Sequence, residues 1–236
     1  MGANSIIYAL KLDFNIEQSQ YNKLLTKLTH ERQCRVKRFR GREDAIRCIF
    51  ADVLAKYAVH KFSGCKVEEV EKRIGKNGKP ILIFPKNVHF NVSHAGRWVV
   101  CIVDEEPVGI DIEGIQEIDL EIAKRFFTKD EYDYIMQPIK ISEQRKRFFQ
   151  IWTMKECYVK ATGEGLSKSL QSFSVCIDNL NVKIIQANSI EQYRKWQFEQ
   201  CIIDENYILS AASFKKTEKI IFLESSVFLR ESIKIP

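Results

Sequence analysis

The sequence predicts an α+β fold of two similar α+β subdomains, residues 1–104 and 105–236, with a ligand cleft between them. Three observations carry that expectation. Each half shows helical periodicity first and then several strand-sized apolar runs, closely enough spaced to pair antiparallel. Each half's longest helical pattern stops at a glycine, Gly64 in one and Gly163 in the other. The 236 residues are 45% hydrophobic, enough for a buried core, and with only ten Gly and five Pro the chain has no obvious flexible linker.

The elements follow in order. Alternation from Ile6 to Leu12 predicts an opening strand, and Tyr21, Leu24, Leu25 and Leu28 at three- and four-residue spacings predict a helix. A second helix is expected over Glu43–Phe62, with Ile46, Ile49, Phe50, Val53, Leu54 and Tyr57 on one stripe. After the turn-forming run from Lys76 to Pro80 come short strands at Ile81–Phe84, His89–Ser93, Trp98–Val103 and Val108–Glu113. In the second half Leu120–Phe127 reads as helix, and Thr128 followed three residues later by Glu131 is a capping-box pattern that starts another. A long helix over Ser142–Ala161 ends at Gly163-Glu164-Gly165-Leu166. Strands then follow at Phe173–Ile177, Trp196–Ile202, Tyr207–Phe214 and Ile220–Leu223.

Composition narrows the function classes. No apolar run approaches the ~20 residues a membrane span needs, and the N-terminal stretch meets Lys11 and Asp13 too early for a signal peptide, so a cytoplasmic protein is expected. Seven widely spaced cysteines without a C-x-x-C pair read as reduced thiols rather than a disulfide framework or zinc site. The net charge of +6 admits a nucleic acid, an anionic small molecule or an acidic protein as partner.

Four segments carry candidate chemistry. In Gly109-Ile110-Asp111-Ile112-Glu113 a strand's period of two puts both carboxylates on one face, where paired oxygens can hold Mg²⁺; an ordinary half-exposed strand has the same pattern. Glu156 and Lys160 stand at i and i+4 of the long helix, which suits either a surface ion pair or a metal ligand beside a phosphate-facing cation. The glycines that follow favour the second reading, since they end a helix at high conformational cost unless close backbone approach is needed. Asn91-Val92-Ser93-His94-Ala95-Gly96 ends a strand with a hydroxyl, an imidazole and a glycine turn, a combination suited to a phosphate. Six basic residues and no acid lie between Arg32 and Arg42, fitting a solvated helical end, a nucleic-acid patch or a phosphorylated small molecule.

Taken together, Phe90–Trp98, Gly109–Glu113, Arg125–Glu131 and Trp152–Leu166 resemble the Sfp-type 4'-phosphopantetheinyl transferases, which activate carrier domains of peptide, polyketide and fatty-acid synthases. The resemblance covers about Arg32 to Phe173. It implies a monomeric, Mg²⁺-dependent enzyme of two pseudo-twofold-related halves that moves the 4'-phosphopantetheine arm of coenzyme A to a serine of an apo carrier protein, an acidic helical bundle, and releases adenosine 3',5'-bisphosphate. Neither nucleic acid nor membrane is then a partner. By position Asp111, Glu113 and Glu156 become the ligands of Mg²⁺, or of Mn²⁺, which oxygen donors also accept. Lys160 meets the diphosphate, Ser93 and His94 meet the 3'-phosphate, and Arg32, Arg35 and Lys79 surround the adenosine end. Glu156, directly or through a water, and Lys160 are the implied catalytic groups, and the Arg125-Phe126-Phe127 helix the implied docking surface. Ile112, between the strand carboxylates, replaces a polar residue of some relatives, which leaves three carboxylates as the protein ligands.

Overall fold

The structure is a computed structural model and describes residues 4–165, 168–178, 181–186 and 196–234. Residues 1–3 of the N-terminal stretch and Leu166 of the glycine ending lie outside the described residues.

In the first half β1 (Ser5–Lys11) is followed by α1 (Gln18–Thr26), α2 (His30–Val36) and α3 (Arg42–Ser63). Glu17 and Gln20 form a capping box at the start of α1, and the Thr29 side chain accepts from the Arg32 amide at the start of α2. The 22-residue α3 ends at Gly64, whose φ of 74° is the left-handed conformation that closes a helix without a Cβ penalty. A hairpin of β2 (Glu71–Ile74) and β3 (Pro80–Phe84) leads to β4 (His89–Ala95) and β5 (Trp98–Asp104).

The second half repeats the plan. It contains β6 (Gly109–Gly114), α4 (Ala123–Phe126), α5 (Lys129–Met136), α6 (Ile141–Thr162), β7 (Phe173–Asp178), β8 (Asn181–Gln186), β9 (Gln197–Ile203), β10 (Tyr207–Ser213), β11 (Thr217–Leu223) and α7 (Ser225–Lys234). The capping box of Thr128 and Glu131 is present at α5. Like α3, α6 has 22 residues and ends on a left-handed glycine, Gly163. The expected helix over Leu120–Phe127 divides into a 3₁₀ turn at Leu120–Ile122 and the four-residue α4.

The strands form a four-stranded sheet in the order β11-β1-β5-β4 and a three-stranded sheet in the order β6-β10-β9. Their pairings are antiparallel except β1 with β11, which is parallel. That exception departs from the all-antiparallel expectation and has a simple cause: β11 reaches β1 only after the chain has passed through the whole second half, by a long crossover.

Alternation along the strands explains how the layers stack. In β5 Val99, Cys101 and Val103 face α3, packing on Ile46, Ile49, Phe50 and Leu54, while Trp98, Val100 and Ile102 face the other sheet. There they meet Ile110 and Ile112 of β6 and Leu209 and Ala211 of β10. The opposite face of that second sheet packs Ile208 and Ala212 against Met154, Cys157, Tyr158 and Ala161 of α6. The order is therefore helix, sheet, sheet, helix. Each fully buried aliphatic or aromatic side chain in these layers is worth about 1.5–3 kcal/mol. Phe228 of α7 belongs to the α3 core, tilted on Phe50 and edge-on to Tyr57, so the chain's last strand and last helix both pack on the first half. No helix among the described residues is long and apolar enough to cross a membrane.

Candidate active site

Three elements deliver the site: β4, β6 and α6. Because Ile110 and Ile112 point into the intersheet core, the period of two turns Gly109, Asp111 and Glu113 towards α6. Gly109 is what lets the helix come close. A Cβ there would lie 2.0 Å from the Cys157 carbonyl oxygen and 2.5 Å from the Ala161 nitrogen. With that approach secured, Glu156 and Lys160, one turn apart on α6, lie over the strand carboxylates. On the other side the Asn91 side chain accepts from the Ile110 amide at 2.8 Å, fastening β4 to β6.

The Lys160 ammonium donates to Asp111 Oδ1 at 2.6 Å, to Ser93 Oγ at 3.1 Å and to the Ile110 carbonyl at 3.3 Å. Ser93 in turn donates to Asp111 Oδ1 at 2.9 Å. Asp111 is 3% exposed, and its other oxygen, Oδ2, is buried without a hydrogen-bond partner. Burial raises the Glu113 pKa to about 7, with Asp111 adding to the rise and Lys160 opposing it. Burial also raises Glu156, Lys160 again opposing and Asp111 adding. For Lys160 burial works against the charge, but the adjacent Asp111 carboxylate outweighs it and holds the ammonium pKa above its ordinary value.

Three carboxylates thus share one cation. Among the described residues no three His, Cys, Asp or Glu side chains converge as a ready metal cluster. The donor set nevertheless fits a hard divalent cation: the donors are oxygens, one buried carboxylate oxygen lacks a partner, and negative charge is in excess.

Two chambers flank this cluster. One, of about 310 Å³, is lined by Lys79, Asn91, Glu156, Lys160 and Gly163 among others. The other, of about 390 Å³, is lined by His94, Gly96, Glu113, Gln116, Asn206 and Tyr207 among others.

The structure therefore brings Asp111, Glu113, Glu156, Lys160, Ser93, His94 and Lys79 to one seam between the halves. Ser93 joins the Asp111–Lys160 pair. His94 lines the second chamber, its pKa lowered by desolvation and then by Arg47. Lys79 lines the first chamber, but its ammonium donates to the Lys160, Val108 and Ala161 carbonyls, at 2.5, 3.2 and 3.3 Å. Desolvation lowers its pKa to about 8. Arg32 is not at the seam: it pairs with Asp52 at 2.5 Å in a separate cavity of about 230 Å³, where Lys72 pairs with the same carboxylate. Arg35 is exposed on α2. Sequence reasoning missed Tyr207 and the tying role of Asn91. The first is only the leading residue of a strand-like run, and the second depends on a contact between strands nineteen residues apart.

Comparison with known proteins identifies the class. Residues 107–212 match the 4'-phosphopantetheinyl transferase superfamily model and residues 13–106 the 4'-phosphopantetheinyl transferase N-terminal model. The chain is 38% identical over 169 residues to 4'-phosphopantetheinyl transferase Sfp of Bacillus subtilis, covering 72% of this chain and 75% of that protein. It is 40% identical over 172 residues to 4'-phosphopantetheinyl transferase psf-1 of Bacillus pumilus, covering 71% and 73%. To 4'-phosphopantetheinyl transferase gsp of Aneurinibacillus migulanus it is 34% identical over 182 residues, covering 77% and 76%. The chain belongs to the 4'-phosphopantetheinyl transferase superfamily, and within it to the Sfp-like enzymes.

Proposed function

We propose that Asp111, Glu113, Glu156 and Lys160 are the groups with which this transferase moves the 4'-phosphopantetheine arm of coenzyme A to a serine of an apo carrier protein. The observation that carries the assignment is the Asp111–Lys160 pair, with its unpartnered carboxylate oxygen, standing between two chambers. The serine oxygen attacks the phosphorus next to the arm, the phosphoanhydride bond breaks, and its electron pair leaves on adenosine 3',5'-bisphosphate. Lys160, a cation at this seam, neutralises charge on that departing phosphate. Glu156, its pKa raised by burial, accepts the serine proton.

Asp111, Glu113 and Glu156 hold Mg²⁺, or Mn²⁺; when bound, such an ion supplies charge neutralisation at the diphosphate. Ser93 and His94 meet the 3'-phosphate side of coenzyme A, and the Lys79 stem lines the wall beside the adenosine end. Arg32 and Arg35 contribute positive field from α2 rather than direct contact. The partner is an acidic helical carrier, steered by the +6 charge and received by a monomer in the cytoplasm. Half-buried Phe126, edge-on to Trp152, and fully exposed Ile139 offer it an apolar surface, whereas Phe127 is core.

The test is incubation with coenzyme A, Mg²⁺ and an apo carrier domain, read as the mass gain of the phosphopantetheine arm. Wild-type protein labels the carrier and Glu156→Ala does not. Labelling by Glu156→Ala at the wild-type rate rules out its role as the base.

A further inference from the structure

A cavity of about 230 Å³ lies away from the seam, lined by parts of α2, α3, β2 and α7. Asp52 of α3, its side chain 9% exposed, takes Arg32 of α2 on one oxygen and Lys72 of β2 on the other. That carboxylate is then fully engaged. Lys56, one turn further along α3, lines the same cavity, and among the described residues its ammonium donates only to the Lys27 carbonyl, at 3.3 Å. The charge pattern of the seam, three carboxylates around one cation, is inverted here.

Two groups in the cavity are left over from this pairing. Ser232 of α7 is 1% exposed, and its hydroxyl is buried without a hydrogen-bond partner. Lys56 is the other. Burial lowers its pKa, with Lys72 adding to the fall and Asp52 and Glu68 opposing it, so an anion beside it would favour the ammonium. Lys27 and the exposed Glu68 complete the charged lining, which sets four cations against two carboxylates. A buried hydroxyl with no partner and a partly buried ammonium with no ion pair both cost stability until an acceptor reaches them. The remaining walls are largely apolar, from Leu28, Val53, Tyr57 and Val67.

We propose that this cavity binds a small apolar organic acid, its carboxylate accepting from the Lys56 ammonium and the Ser232 hydroxyl and its body lying against Leu28, Val53, Tyr57 and Val67. The excess of positive charge selects an anion, and two leftover donors match the two oxygens of one carboxylate. The apolar walls select a hydrocarbon body over a bare ion. Volume sets the size of that body. A cavity of about 150 Å³ holds benzene, so one of about 230 Å³ holds roughly nine heavy atoms, the size of benzoate. The site stands apart from the transferase reading, because it uses neither Lys160 nor a carboxylate of the seam and leaves Arg32 on Asp52.

The experiment compares benzoate with its neutral isostere benzamide and with acetate, which lacks the apolar body. Dissociation constants are measured calorimetrically at pH 7 for the wild type, Lys56→Met and Ser232→Ala. The first variant keeps the side-chain stem, the second nearly keeps the volume, and neither touches the Asp52 pairs, so both retain the fold. The wild type is expected to bind benzoate at least about tenfold more tightly than benzamide or acetate. Lys56→Met should weaken benzoate by about tenfold or more and Ser232→Ala by about three- to tenfold, the factors of a charge-assisted and an ordinary hydrogen bond. No benzoate binding by the wild type, benzamide or acetate bound as tightly, or an unchanged benzoate constant in either variant overturns the assignment. Displacement of benzoate by adenosine 3',5'-bisphosphate with Mg²⁺ also overturns it, since the cavity would then belong to the coenzyme A site.

Discussion

Replacing Glu131 by glutamine should destabilise the protein by about 3–5 kcal/mol, the cost of stranding a buried charge. Its carboxylate lies 2.8 Å from the Lys155 ammonium, with the two side chains 1% and 0% exposed. Lys155 also donates to the Leu170 and Phe173 carbonyls at 2.7 and 2.6 Å, and the Phe173 ring lies 4.4 Å away. Glu131 accepts from the Thr128 and Val175 amides at 2.8 and 2.6 Å. Glutamine keeps the volume and one acceptor oxygen but removes the only carboxylate paired with Lys155 among the described residues. Burial already lowers the Lys155 pKa, with Glu131 opposing that fall, so without Glu131 the ammonium becomes harder to keep. Against a typical total of 5–15 kcal/mol the loss is large. The assay is urea unfolding at pH 7 followed by far-UV circular dichroism, with Glu131→Gln, Lys155→Met and the double variant forming a cycle. The double variant should recover part of the loss, since an apolar side chain then fills the site of the stranded charge. A loss below about 1 kcal/mol for Glu131→Gln, at an unchanged denaturant slope, would refute this account of the pair.

Three further outcomes are expected. Gly109→Ala drives a Cβ into the Cys157 carbonyl at 2.0 Å, so β6 must retreat from α6; a loss of about 3 kcal/mol and of carrier labelling is expected in the same denaturation and labelling assays. Glu113, with its folded pKa raised from 4.5 to about 7, binds its proton more tightly when folded. Metal-free protein should therefore lose stability between pH 5 and pH 8, on the order of 1–2 kcal/mol after discounting for solvent screening. Glu113→Gln should flatten that slope in chelator-treated samples melted at both pH values. Lys79→Met removes three charge-assisted bonds, two to carbonyls at the end of α6 and one to the Val108 carbonyl before β6, for an expected loss of about 1.5–3 kcal/mol and a lower kcat for labelling as Lys160 loosens. A raised KM for coenzyme A with kcat and stability unchanged points instead to direct contact with the substrate.

The parts of the fold that were legible are those set by local periodicity. The apolar stripe over Glu43–Phe62 becomes Arg42–Ser63 because helical spacing shows in the sequence, and Trp98–Val103 becomes Trp98–Asp104 because a strand buried on both faces reads as a continuous apolar run of strand length. The charged strand β2, Glu71–Ile74, is one-sided and exposed and left no such repeat. Neither β8 nor α7 was anticipated. In α7 the two buried anchors are adjacent, Phe228 and Leu229, and they pack on a core assembled some 170 residues earlier. At the site, spacing offered Asp111 with Glu113 and Glu156 with Lys160 as facing pairs, each equally suited to an ordinary strand or a surface ion pair, and the family resemblance is what joined them into one site. The engagement of Lys79 by three carbonyls, the pairing of Arg32 with Asp52 and the close approach of the Tyr207 ring to Gly96 and Gly114 depend on distant parts of the chain and left no local mark.

The parallel pairing of β1 with β11, together with the docking of α7, has a topological consequence. The chain leaves the first half after β5, builds the second half, and returns to complete the sheet it left. The half carrying three of the site's carboxylates is therefore an insertion within the other, suspended by two crossings, at residues 105–108 and 214–216. A protein cut near residue 105 separates β1 from its edge partner, so the first fragment lacks both a strand and a core helix. Removing the insertion and joining residue 104 to residue 217 by a short linker retains both, giving a fold that can be studied without its catalytic half. Two tethers instead of one also restrict how the halves can move: opening at the seam bends both crossings together, which favours a hinge over a twist.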